Sequence, residues 1–152
     1  MNEQLVQLHQ QALQALNKGK FKQAHRYLML LLQQDKYFAD GYFLMAMIAS
    51  AYENTGKAIQ LIEQAIKLSP NNTEYLAHLA KHYALQSDHL KANKYASLAE
   101  QYGPKLALTL DTLGVIYNKI GLHKKAIPCF LKAIAIDNSN HQFYFNLAVS
   151  QT

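Results

Sequence analysis

His78 and His82 stand four residues apart in the run HLAKH, a spacing that can chelate a metal from one face of a helix. No Glu follows the first His and no third ligand lies nearby in sequence, so surface or packing histidines are expected and no metal is. His89 and His123 take the place of an aromatic residue beside a helix turn and are read the same way. Cys129 has no His or Asp in a recognisable arrangement and reads as a buried structural thiol. Lys18, Lys20, Lys22 and Arg26 form one basic cluster, and Lys119, Lys124 and Lys125 another. They could bind phosphates. A solvated rim is the expectation, because no stacking aromatics are interleaved with them. Phosphate loops, dinucleotide fingerprints and nucleophile elbows are absent. No catalytic residue and no cofactor is implied.

The bulk numbers agree. The chain has 152 residues, half of them apolar and 16% charged, which is too apolar for disorder. No uninterrupted apolar run reaches the length of a membrane span. The opening MNEQLVQLHQ lacks a basic segment followed by an apolar core, so no secretory signal is expected. One cysteine fits a reducing compartment, and cytoplasm is the expectation. A net charge of +5 allows an acidic partner without demanding one.

These residues must be positioned by helices, because no stretch shows the alternation of a strand. Leu5, Leu8, Ala12, Ala15 and Leu16 make one helical stripe; Gly19 breaks it; Phe21, Ala24, Leu28 and Leu31 make a second. The same order recurs every 34 residues, giving units at 5–38, 39–72, 73–106 and 107–140, and a terminal helix at 141–152. In the second unit Glu53 stands where Gly19 stood and the glycine comes later, at Gly56. A longer first helix with a displaced turn is expected there. Pro128 falls inside the second helix of the fourth unit, where a small kink rather than a break is expected. The abrupt end at Ser150-Gln151-Thr152 favours a chain cut inside a fifth unit over a terminal cap.

Aligned in phase, the first large position is Leu8, Tyr42, Leu76, Leu110 and Tyr144, and the next is Gln11, Met45, Leu79, Leu113 and Leu147. The small residue that follows is Ala12, Ala46, Ala80, Gly114 and Ala148, and the second helix opens on Ala24, Ala58, Ala92 and Ala126. This resembles the tetratricopeptide repeat, W-x2-L-G-x2-Y followed by A-x3-F. The resemblance implies an all-α, right-handed α-solenoid forming a single domain over 1–152. Small residues let the two helix axes approach, so Ala80→Leu or Ala126→Leu should overpack the contact, at about 1–3 kcal/mol.

The family resemblance, with helical phase, implies a concave groove lined by the first helices. Its residues here are His9, Leu13, Phe43, Leu44, Met47, His78, Lys81, Asp111, Thr112, Val115, Asn118 and Lys119, continued by Leu85, Leu108, Phe145, Asn146 and Val149. The groove would take a protein or peptide partner, anchored on Phe43 and Met47. The alternative is that several of these residues simply pack between neighbouring helices. Co-chaperones of this fold grip terminal carboxylates with Lys, Asn and Arg; the matching places hold His9, Leu13, Leu44, Glu74 and His78, so no such clamp is expected. The run DTLGVIYNKIGLHKKAIPCFLKAIAID is also similar to repeat arrays preceding a catalytic domain in some bacterial sulfotransferase-type proteins. That resemblance implies a non-catalytic region of a larger enzyme. A nucleic-acid or anionic-surface binder is the third reading, resting on charge alone, and self-association through an exposed array end is allowed.

Overall fold

The structure, a computed structural model, describes residues 2–152. Its described residues form nine helices and no strand. They fall into two compact units, 1–70 and 71–152.

In the first unit, α1 (Glu3–Asn17) pairs with α2 (Phe21–Gln34) and α3 (Ala39–Ala51) pairs with α4 (Thr55–Leu68). Asn2 starts α1 by accepting the Leu5 N–H at 2.8 Å, and Asn54 starts α4 by accepting that of Lys57 at 3.2 Å. Leu5, Leu8 and Leu31 form a buried cluster with Tyr27, Leu32 and Phe38 around it.

In the second unit, α5 (Thr73–Leu85) pairs with α6 (His89–Gln101) and α7 (Ala107–Lys119) with α8 (His123–Ile136). The last helix, α9 (His141–Gln151), packs on α8 and α7, where Phe143 joins Leu110 and Ala133 in a buried cluster. α8 runs unbroken through Pro128. Asn72 and Asp88 cap α5 and α6 through the N–H groups of Tyr75 and Lys91, at 3.0 and 3.1 Å.

One turn recurs in all four pairs. Gly19, Glu53, Ser87 and Gly121 each take positive φ, at 71°, 59°, 61° and 83°. The residue after each donates back to the carbonyl five places earlier: Lys20 to Ala15 at 2.8 Å, Asn54 to Ala49 at 2.9 Å, Asp88 to Tyr83 at 2.9 Å and Leu122 to Tyr117 at 2.7 Å. This is the Schellman arrangement, which satisfies carbonyls left over at a helix end. The expected longer helix in the second unit is therefore corrected. α3 stops at Ala51 like its counterparts, Glu53 adopts the left-handed backbone itself, and Gly56 lies in the first turn of α4. The backbone bonds of the turn outweigh the left-handed penalty, about 1–2 kcal/mol for a residue with a Cβ.

The helix pairs touch through their small residues. Ala24, Ala58, Ala92 and Ala126 are wholly buried. A Cβ added to Gly114 would fall 2.5 Å from the ring of Phe130, which is itself buried. The glycine is thus a space requirement of the α7–α8 crossing rather than a turn residue.

Candidate interaction site

The sequence-predicted groove residues divide between the two units. On the first, Phe43 is only 4% exposed and Leu44 5%. Both are interior residues, so the expected Phe43 anchor is corrected: it is not on the open surface. The reason is in the composition of α3, ADGYFLMAMIASA, which is apolar all round. A helix of that kind is buried on several faces, and helical phase alone does not identify an open one. Met47 is half-buried and Leu13 exposed. His9 is half-buried; its Nε2 lies 2.6 Å from Asp40 Oδ2, tying α1 to α3, and its ring meets Phe38 edge-on.

On the second unit, Lys81, Asp111, Thr112, Val115 and Lys119 do come together. With Ala84, Leu85 and Ile116 they line a cleft of about 290 Å³ between α5 and α7. Ala84 and Ile116 are buried and form its floor, while Leu85 and Val115 remain 50% and 44% exposed. Among the described residues neither Lys81 nor Lys119 pairs with a carboxylate. The other polar groups are held by their own fold. Asp111 Oδ1 accepts from Asn146 Nδ2 of α9 at 2.8 Å, and Thr112 Oγ1 donates to the Leu108 carbonyl at 2.9 Å. Burial raises the Asp111 carboxyl above its ordinary range, against the opposing pull of the Asn146 bond.

Asn118, expected in the groove, is turned to neighbouring structure: its Oδ1 accepts from Ser150 Oγ at 2.9 Å and lies 2.9 Å from His123 Nδ1. His78 is half-buried beside Glu74, Ala77 and Leu108 in a smaller recess. Burial, helped by Lys81 and His82, lowers its pKa to about 4, so it is neutral at pH 7. His82 is buried, with Nδ1 2.7 Å from the His78 carbonyl. No cluster of three or more metal-ligating side chains occurs among the described residues.

Sequence reasoning missed a polar cluster among α6, α7 and α8. The Tyr117 hydroxyl donates to Glu100 Oε1 and lies 3.3 Å from Ser97 Oγ. Lys125 Nζ donates to Asn93 Oδ1 and Ser97 Oγ, each at 3.0 Å, and sits 4.8 Å from the Tyr117 ring centre. Cys129 is buried beside them, with its thiol donating to the Lys125 carbonyl at 3.6 Å, and burial pushes its pKa up to about 12. Such a thiol is inert as a nucleophile at neutral pH. The residues come from three helices and have no local sequence signature.

The family model for the tetratricopeptide repeat matches residues 39–72 and 108–140. Those two stretches, α3–α4 and α7–α8, thus match the tetratricopeptide repeat. Among relatives, the chain is 29% identical over 106 residues to small glutamine-rich tetratricopeptide repeat-containing protein 2 of Mycosarcoma maydis, covering 70% of this chain and 29% of that protein. It is 31% identical over 91 residues to a heat-shock protein cognate co-chaperone of Aspergillus fumigatus, covering 60% of this chain and 27% of that one. The repeat chain thus spans less than a third of the length of these curated relatives. Among solved structures, pilF of Pseudomonas aeruginosa superposes with a TM-score of 0.85 at 19% identity, over 97% of this chain and 68% of that one. That likeness shows the helical-repeat fold. No helix among the described residues is long and apolar enough to cross a membrane.

Proposed function

We propose that the repeats form a non-catalytic protein-interaction scaffold, and that the cleft between α5 and α7 receives a segment of the partner. One observation carries this reading: at positions where repeat phase expects a binding face, Leu85 and Val115 stand open to solvent over a buried apolar floor. Exposed apolar side chains framed by polar groups are what a peptide groove presents. The interaction is distinct from a terminal-carboxylate clamp, since His9, Leu13, Leu44, Glu74 and His78 occupy the places where the clamp's cationic and amide groups would stand.

The test is chemical-shift mapping on the full chain with a panel of synthetic peptides. Shifts should concentrate at residues 81, 85, 112, 115 and 119. Val115→Asp places a charge on an exposed position, should leave the fold intact, and should abolish them. Shifts confined to other surfaces, or unchanged in that variant, would overturn the assignment.

A further inference from the structure

The proposed cleft has a charge pattern that restricts its occupant. The 34-residue repeat makes Lys81 the counterpart of Val115, and Leu85 the counterpart of Lys119. Along α5 the order is therefore lysine then apolar, and along α7 apolar then lysine, with one helical turn, about 6 Å, between the members of each pair. All four line one cleft. The two ammonium groups thus occupy one diagonal and the two exposed apolar side chains the other.

Resting on the interaction reading above, we infer that the cleft takes an internal acidic–apolar–acidic peptide segment, with a large apolar side chain over Leu85 and Val115 and carboxylates on Lys81 and Lys119. Neither lysine has a carboxylate partner of its own among the described residues. The one acidic residue in the cleft, Asp111, already accepts a hydrogen bond from Asn146. A basic segment would meet two unpaired cations, and a wholly apolar one would desolvate them without return. No aromatic ring lines the cleft to stack a base, which disfavours single-stranded nucleic acid.

The experiment uses the full chain and a set of dodecapeptides blocked at both ends, so that no terminal carboxylate is present. Each carries Leu or Phe at the centre, flanked by Glu, Ser or Lys; a further Glu-flanked peptide has Ala at the centre. Binding is read by fluorescence anisotropy at two salt concentrations, beside heparin as a polyanion without apolar groups. The expected result is binding of the Glu-flanked apolar peptides about tenfold tighter than of the Ser-flanked ones, weakened by salt. Lys81→Glu with Lys119→Glu should remove that advantage and transfer it to the Lys-flanked peptides. Circular dichroism melting checks that these exposed substitutions leave the fold unchanged. Equal binding of all apolar-centred peptides, lost in Val115→Asp, overturns the acidic occupant and leaves the cleft reading standing. Binding of heparin and the Ala-centred peptide as well as the apolar-centred ones also overturns it, in favour of a polyanion surface. No peptide binding, or binding indifferent to Val115→Asp, overturns both.

Discussion

His78 illustrates how much one half-buried ring can decide. Its pKa is lowered from the ordinary 6.5 to about 4, chiefly by burial, with Lys81 and His82 adding to the effect. The unfolded chain therefore binds a proton that the folded chain refuses between those two values. Stability contributed by the neutral ring is fully present above pH 6.5, declines as the pH falls, and levels off near pH 4. His82 is shifted the same way by burial and adds to the slope. Denaturant unfolding at pH 7, 6, 5 and 4 should show a loss of up to about 3 kcal/mol from His78. His78→Gln should flatten much of that dependence. A variant with the wild-type slope would show that other groups govern it.

At the scale of the element, the repeated turn makes opposite predictions for glycine and non-glycine positions. Glu53 and Ser87 hold positive φ with a Cβ in place. Glu53→Gly and Ser87→Gly should each stabilise by about 1 kcal/mol, the relief of left-handed strain less the added freedom of the unfolded chain. Gly121→Ala should cost about the same, by introducing that strain. Thermal melts of the three variants decide whether the signs differ as expected. The crossing of α7 and α8 makes a different demand. Gly114→Ala gains helix propensity, but its Cβ must displace the buried Phe130 ring, and a net loss of about 1–2 kcal/mol is expected.

The same two elements show why some features were legible in the sequence and others were not. The period of 34 was legible because Ala24, Ala58, Ala92 and Ala126 must all be small for helices to meet. The turn of the second pair is not legible from the position of glycine, because the backbone bonds from Asn54 and Glu53 define it regardless of side chain. The exposure of Lys81, Val115 and Lys119 is legible because a helix with mixed polarity has a distinguishable outer face. The burial of Phe43 is not, since α3 is apolar in every direction. The Glu100–Tyr117 bond joins residues 17 apart on different helices, and no periodicity within one helix reports it.

Across the whole molecule, contacts run between helices that are near neighbours in the chain. Repeat stability then approximates a sum of local terms, and damage stays where it is made. In Gly114→Ala, amide exchange should accelerate in α7, α8 and α9 while α1 and α2 keep their protection. Uniform acceleration along the chain would show a single cooperative unit instead. The net charge of +5 acts at this scale too, favouring encounter with acidic over basic molecules, an effect that salt weakens.

The bond between Tyr117 and Glu100 has an optical consequence. The chain has ten tyrosines and no tryptophan, so its near-ultraviolet emission comes from phenols alone. A phenol donating to a carboxylate loses its excited state to proton transfer and emits weakly. Burial and the Glu100 bond also hold Tyr117 well above its ordinary pKa of 10.0. Opening of α7 from α6 would release that quenching and brighten the tyrosine signal. Tyr117→Phe supplies the reference trace, giving the repeats an internal light source that reports on one helix pair without a label.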